Sequence, residues 1–172
     1  MKLNLVDYSA NLVEEWRLSF SEFPEVAIFQ DDILELAECA VVSPANSQGF
    51  MDGGVDKAYR DFFGKQIEMD VQSAIECKFN GILPVGSAIV ISTGHPRIQW
   101  LVVAPTMEFP EPVPAITSGR ALYAALRASH RHGRISNLFC PGLATGVGRV
   151  HCSDAAREMA SAYSDWKTSL SR

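Results

Sequence analysis

The sequence lacks the features that mark disordered, fibrous, secreted and membrane-spanning chains. Only 9 prolines and 12 glycines occur in 172 residues, which argues against a disordered or fibrous protein. No run of about 18 apolar residues occurs, and no long apolar stretch follows the N-terminus, so we predict neither a membrane span nor a signal peptide. The four cysteines form no Cys-x-x-Cys pair, which indicates reduced thiols in a cytoplasmic protein.

Basic residues and metal ligands are also scarce. Lys and Arg number 15 against 20 Asp and Glu, a formal net charge of −5, so no overall positive field favours nucleic acid or an anionic membrane as a partner. His130 and His132 stand two apart on a predicted helix and point to different faces, and His151-Cys152 has no second pair nearby. We therefore predict no metal site and no cofactor.

What the chain does have is an apolar content of 47%, enough to bury a core, and a length close to that of one domain. We predict a single domain over residues 1–172. Short apolar runs predict strands at 2–6, 26–29, 39–42, 88–91, 100–103 and 135–140. Helical spacing predicts helices at 12–20, 55–62, 67–79 and 122–129, and a last helix that begins after Ser153 as its N-cap. This interleaving predicts an α/β fold, a three-layer α/β/α sandwich with a mixed central sheet whose 88–91 and 100–103 strands are antiparallel.

The loops that follow three of these strands are unusual in composition. Open α/β sheets bind ligands at the carboxyl ends of their strands. The loop 43–56 places Gly53-Gly54 directly before a predicted helix, whose N-terminus offers free N–H groups and a positive dipole end to an anion. The loop 141–149 is also rich in glycine but lacks the Gly-Lys-Ser/Thr ending of a P-loop. Each loop alone is also typical of an ordinary strand-to-helix turn, whereas two such loops facing each other would clasp a diphosphate.

Four short motifs follow one another in an order typical of one family. They are Gln30-Asp31-Asp32-Ile33, Val42-Ser43-Pro44-Ala45-Asn46, Gly53-Gly54-Val55-Asp56 and Ala144-Thr145-Gly146-Val147. From Val26 to the C-terminal helix the sequence resembles a macro domain, the ADP-ribose-binding fold. That family carries Gln-Gly-Asp-Ile, Val-Asn-Ala-Ala-Asn, Gly-Gly-Val-Asp and Ser-Thr-Gly-Val at these places. The resemblance implies that the ligand is ADP-ribose or an ADP-ribosylated substrate.

The resemblance also implies a role for each matching residue. Asp32, with Ile33 beside it, would accept a hydrogen bond from the adenine amino group; the alternative is that Asp32 caps a short helix. Asn46 would bond the distal ribose hydroxyls, or serve only as a turn residue. Asp56 would face the same ribose and orient an attacking water, which makes Asn46 and Asp56 the candidate catalytic pair, or it would complement the helix dipole. The other candidate ligand contacts are Gly53, Gly54, Val55, Ala144, Thr145, Gly146, Val147 and Gly148.

The departures from the family pattern leave catalysis open. Many macro domains have an aromatic residue and Gly where this chain has Gly148-Arg149, and the aromatic helps to close over the distal ribose. If closure limits the reaction and the loop does not need the positive φ of glycine at Gly148, an aromatic residue placed there is expected to raise hydrolysis. Arg149 is a candidate cation for the diphosphate. Ala104–Met107 and the short third loop are similar to macro-like proteins of phages and prophages.

Two functions follow from the resemblance and its departures. The first is an ADP-ribose-binding macro domain that hydrolyses ADP-ribosyl esters or related derivatives slowly. The alternative is a non-enzymatic interaction or phage-assembly-associated protein that keeps the fold. The missing aromatic at Gly148 and the proline-rich loop Phe109–Pro114 favour the alternative. Binding of ADP-ribose separates the two.

Overall fold

The computed structural model describes residues 1–171, and within them six strands and six helices are interleaved. The strands are β1 (Lys2–Asp7), β2 (Ala27–Gln30), β3 (Ala40–Ser43), β4 (Ile89–Ser92), β5 (Trp100–Val103) and β6 (Asn137–Cys140). The helices are α1 (Ala10–Ser19), α2 (Ile33–Leu36), α3 (Gly54–Phe63), α4 (Gln66–Phe79), α5 (Ile116–His132) and α6 (Cys152–Leu170). Across these residues no helix is both long and apolar enough to cross a bilayer.

The strands form a mixed sheet in the order β2-β1-β6-β3-β5-β4. β1 pairs in parallel with β2 and β6, and β3 pairs in parallel with β6 and β5. β4 runs antiparallel to β5, as the sequence predicts. The other five strands share one direction, so their carboxyl ends meet at one edge of the sheet.

Both faces of the sheet are buried, which confirms the three-layer α/β/α architecture. Successive side chains of a strand point to opposite faces. Val42 and Val102 pack into the cluster that α1, α5 and α6 cover, whereas Val41 and Leu101 pack into the cluster that α3 and α4 cover. Because both faces are buried, the strands are short continuous apolar runs rather than alternating ones.

The start of the last helix differs from the prediction. The N-cap of α6 is His151, not Ser153, and its side chain makes no capping hydrogen bond. The Ala155 N–H already bonds the His151 carbonyl at 2.9 Å, so Ser153 lies inside the first turn together with Asp154. The helix begins earlier because Cys152, the residue before Ser153, is partly buried against the core cluster that α1, α5 and α6 cover, and this packing outweighs a cap of about 1 kcal/mol.

Candidate functional site

A cleft of about 630 Å³ lies at the edge of the sheet where the parallel strands end. Segments that follow β1, β2, β3, β5 and β6 all contribute to its walls. Every residue of the predicted ligand set lines it: Asp32, Ile33, Asn46, Gly53, Gly54, Val55, Asp56, Ala144, Thr145, Gly146, Val147 and Gly148. The fold therefore brings four motifs that are distant in sequence to one cavity.

At one end of the cleft, Asp32 caps the short helix α2. Its Oδ1 accepts a hydrogen bond from the Leu34 N–H at 2.8 Å, and Asp31 accepts one from the Asp32 N–H at 2.8 Å. The helix-cap interpretation of Asp32 is thus confirmed, and it does not exclude a ligand contact, because a carboxylate has several acceptor sites. The neighbouring Tyr8 is exposed, and its pKa is raised to about 12, chiefly through a hydrogen bond with Asp32. Its phenol is therefore neutral near pH 7.

The residue that fixes α2 belongs to none of the four sequence motifs. Arg97, in the turn between β4 and β5, donates to the Glu35 and Ala37 carbonyls at 3.0 and 2.7 Å and to the Leu34 carbonyl at 2.7 Å. Carbonyls at a helix C-terminus lack partners within the helix. One guanidinium thus satisfies the end of the helix whose start is Asp32.

In the loop after β6, the backbone at Gly148 is packed so closely that no side chain fits there. A β carbon on Gly148 would lie 2.6 Å from the Ala144 carbonyl oxygen and 3.0 Å from Val113 Cγ2. The expectation that an aromatic residue at this position would close the site is therefore wrong, because even a methyl group meets backbone there. Arg149 is exposed and lies outside the cleft wall, so the structure gives no support to it as a cation for a diphosphate.

In the loop between β3 and α3, Asn46 acts as the turn residue. Its Oδ1 accepts hydrogen bonds from the N–H groups of Gln48 and Phe50 at 3.1 and 3.3 Å, and its Nδ2 donates to the Phe50 carbonyl at 3.5 Å. The amide is therefore committed to the loop. A contact with a ribose hydroxyl would share or replace one of these bonds.

Asp56 lies on the first turn of α3, three residues after its N-cap Gly53. It is 7% exposed, and the Ser43 hydroxyl donates to its Oδ1 at 2.5 Å. Burial raises the pKa of Asp56 to about 7, against the opposing effect of the Ser43 hydrogen bond. Near neutral pH the group is therefore present both as carboxylate and as carboxylic acid, which suits proton transfer. Its position also complements the helix dipole, as the alternative interpretation holds.

The charge of the cleft is negative. Five carboxylates line it, namely Asp7, Asp31, Asp32, Asp52 and Asp56. Among the described residues of the wall there is no Lys, Arg or His. Nowhere in residues 1–171 do three His, Cys, Asp or Glu side chains meet in a way that could hold a metal ion. An anionic ligand would therefore depend on backbone N–H groups and the N-terminus of α3.

Comparison with known sequences places these features in a family. The family model of the Macro domain matches residues 42–159. A protein of Aeropyrum pernix is 34% identical over 140 residues, which are 81% of this chain and 70% of that protein. A macro domain-containing protein of Streptomyces coelicolor is 27% identical over 147 residues, 84% of this chain and 86% of the other.

Comparison with solved structures gives the same architecture. The macrodomain of Mycobacterium tuberculosis DarG superposes with a TM-score of 0.68 and 20% identity, covering 78% of this chain and 87% of that one. Thermosipho africanus DarTG in complex with ADP-ribose superposes with a TM-score of 0.67 and 16% identity, covering 80% of this chain and 38% of that one. The Oceanobacillus iheyensis macrodomain with ADP superposes with a TM-score of 0.63 and 20% identity, covering 73% of this chain and 67% of that one. These likenesses show the fold, and the family match spans most of the sequence, so the chain belongs to the Macro domain family.

Proposed function

We propose that the cleft binds ADP-ribose or an ADP-ribosyl group. The observation that carries this proposal is the meeting of all four motifs in one cavity at the carboxyl ends of the parallel strands. The ligands of two similar structures support it, since Thermosipho africanus DarTG holds ADP-ribose and the Oceanobacillus iheyensis macrodomain holds ADP. Four cysteines without disulfide partners support a cytoplasmic location.

The adenine is proposed to lie at the α2 end of the cleft. Asp32 is half-buried there, and Ile33 beside it is almost fully buried. An ionised carboxylate is a strong acceptor for an exocyclic amino group. Arg97 fixes the helix that presents this carboxylate, so little ordering of α2 is needed when the ligand binds.

The diphosphate is proposed to lie between the two glycine-rich loops. A β carbon at Gly53, Gly54 or Gly146 would have no protein atom within 4 Å, so a ligand can approach the backbone closely at all three. The N-terminus of α3 supplies N–H groups and the positive end of a helix dipole. This attraction acts against the carboxylates of the wall, which predicts modest affinity.

Slow hydrolysis of ADP-ribosyl esters or related derivatives is the proposed activity. Asp56, with its pKa of about 7, is the proposed general base, and Asn46 shares the same wall. The competing proposal is a non-enzymatic interaction protein, including one associated with phage assembly. It is favoured by the proline-rich segment, because the Val113 N–H bonds the Gly148 carbonyl at 3.0 Å and so attaches that segment to the cleft.

Calorimetry with ADP-ribose tests the binding proposal. Asp32→Ala should weaken binding by on the order of 1.5 to 3 kcal/mol, the range for a hydrogen bond to a charged group. Asp61→Ala, which removes an exposed carboxylate of α3 outside the cleft, is the matched control and should bind as the wild type does. Unchanged affinity in a folded Asp32→Ala variant would refute the adenine contact.

Single-turnover release of ADP-ribose tests the activity. Asp56→Ala should lose at least about a hundredfold in rate, the scale of one acid–base group, while it still binds ADP-ribose, about tenfold more weakly because one hydrogen bond to a carboxylate is lost. A wild type that binds ADP-ribose but releases none from any ADP-ribosyl linkage establishes the non-enzymatic alternative. An Asp56→Ala variant as fast as the wild type shows that Asp56 is not the base.

A further inference from the structure

The end of β3 carries a buried hydroxyl to which the proposed function assigns no role. Ser43 is fully buried, and its Oγ donates to Asp56 Oδ1 at 2.5 Å. The two residues are 13 apart in sequence, so this bond ties the end of β3 to the first turn of α3. Ser43 also stands where the family pattern has Asn, so the family pattern does not predict this contact.

The bond leaves one side of the Asp56 carboxylate for a ligand. Ser43 is the hydrogen-bond partner of Asp56 within the described residues, and it engages Oδ1. Asp56 is nearly buried yet contributes to the cleft wall. A carboxylate fixed through one oxygen keeps its plane, and its other oxygen retains acceptor sites.

We propose that Ser43 is a positioning residue, which holds Asp56 through Oδ1 so that Oδ2 accepts a hydrogen bond from a ligand hydroxyl or a bound water. The proposal rests on the proposed ADP-ribose binding. The ligand group that Asp56 Oδ2 selects is a neutral hydroxyl donor, such as a sugar hydroxyl, because an anionic group would be repelled by the negative charge of the carboxylate.

A pH dependence follows from the same contact. A hydrogen bond to the ionised form lowers a carboxyl pKa, and the Ser43 bond acts in this direction on Asp56. Without Ser43, Asp56 stays protonated to a higher pH. As a carboxylic acid it donates a hydrogen bond, whereas the ligand hydroxyl or water needs an acceptor at this place. The other titratable groups around it are Tyr59, whose pKa burial raises well above its ordinary value, and the cleft carboxylates Asp7, Asp31, Asp32 and Asp52.

Ser43→Ala is the decisive variant, and α3 stays tied to β3 in it because the Tyr59 hydroxyl donates to the Val42 carbonyl at 3.1 Å. Ser47→Ala is the matched control. Ser47 is a buried serine of the loop that follows β3, and its hydroxyl donates to the Met107 carbonyl at 3.2 Å. Ser43→Thr keeps the hydroxyl and should restore the wild-type behaviour.

The first measurement is an NMR titration of the Asp56 carboxyl carbon without ligand. The midpoint should lie near pH 7 in the wild type and in Ser47→Ala, and about one pH unit higher in Ser43→Ala, a tenfold change in the proton equilibrium. Equal midpoints in Ser43→Ala and the wild type overturn the proposal. If Ser43→Thr does not fold, the comparison of the two alanine variants still decides.

The second measurement is the ADP-ribose affinity of the same proteins at about pH 6, below both expected midpoints, where a shift of one pH unit changes the ionised fraction of Asp56 about tenfold. Ser43→Ala should bind about tenfold more weakly than the wild type, and Ser47→Ala within about twofold, since only the first variant alters a charge-assisted contact. If the wild type binds and Ser43→Ala binds equally well, the positioning role is wrong. If the wild type does not bind at all, the proposed function itself fails, whatever the titration shows.

Discussion

Asp7, at the end of β1, accepts a hydrogen bond from the Gly142 N–H in the loop after β6, at 3.1 Å. β1 and β6 are neighbouring parallel strands, and the second Asp7 oxygen accepts from the Ser9 N–H at 2.9 Å. A β carbon on Gly142 would lie 2.6 Å from Leu12 Cδ2 and 2.9 Å from Asp7 Oδ2. A β carbon at this position would therefore push aside the ends of the Leu12 and Asp7 side chains, and Leu12 is itself fully buried.

Gly142→Ala should consequently lower the free energy of unfolding by about 1 to 3 kcal/mol, the usual cost of overpacking. Gly146→Ala is the matched variant in the same loop. Because nothing lies within 4 Å of a β carbon at Gly146, its stability should stay within about 0.5 kcal/mol of wild type, while its ADP-ribose affinity falls. Urea unfolding and calorimetry measure the two effects. Equal stabilities of the two variants would contradict the packing argument.

Arg97 gives a second prediction, which concerns the α2 end of the cleft. Arg97→Lys should destabilise the protein by about 1 to 3 kcal/mol, because one ammonium cannot replace two guanidinium nitrogens that serve three carbonyls. ADP-ribose should also bind more weakly, since α2 presents Asp32. Arg131→Lys, at an exposed position in the last turn of α5, is the control. Wild-type affinity in Arg97→Lys would show that α2 needs no such support.

The sequence predicts those parts of the site that consist of local motifs. The glycine pair 53–54, for example, is predicted directly before a helix, and in the structure Gly53 is the N-cap and Gly54 the first residue of α3. Asp7 and Arg97 were missed because their partners lie 135 residues away, in the case of Gly142, and 60 residues away, in the case of Ala37. Those contacts depend on the strand order β2-β1-β6-β3-β5-β4, which periodicity along the chain does not encode.

The glycines show a related limit. Composition identifies Gly148 as a loop residue and leaves its backbone free for an aromatic replacement. The structure shows that the Ala144 carbonyl occupies the space of its β carbon. At Gly53, by contrast, φ is −143°, which other residues adopt readily, so its absent side chain matters for ligand approach rather than for backbone conformation. Which of these reasons applies at a glycine depends on its neighbours in space.

The charge of the cleft leads to a third prediction. ADP-ribose affinity should rise about two- to fivefold between about 20 and 300 mM NaCl, because salt screens the repulsion between the diphosphate and the carboxylates of the wall. Adenosine carries no charge, so its affinity should not change, and it serves as the ligand control. Calorimetry at each salt concentration measures both. A fall in ADP-ribose affinity with salt would indicate that cations, absent from the described wall, dominate binding.

The last prediction concerns the cost of Asp56 to stability. The folded protein raises the pKa of Asp56 from 3.8 to about 7, so the folded state holds the proton more tightly than the unfolded chain does. Proton binding by Asp56 therefore adds to the free energy of unfolding. This contribution is complete below about pH 4 and is lost as the pH rises to about 7. A pKa shift of this size corresponds to about 4 kcal/mol in the free energy of unfolding.

Asp56→Asn removes this titration and can still accept the Ser43 hydrogen bond. It should therefore become more stable than wild type as the pH rises from about 4 to 7, with no further gain above that. Asp61→Asn is the control, because Lys57 lowers the pKa of Asp61. That exposed carboxylate should give a much smaller trend of opposite sign. Urea unfolding at several pH values measures both, and a stability difference between Asp56→Asn and wild type that does not vary with pH would show that Asp56 titrates like an exposed carboxylate.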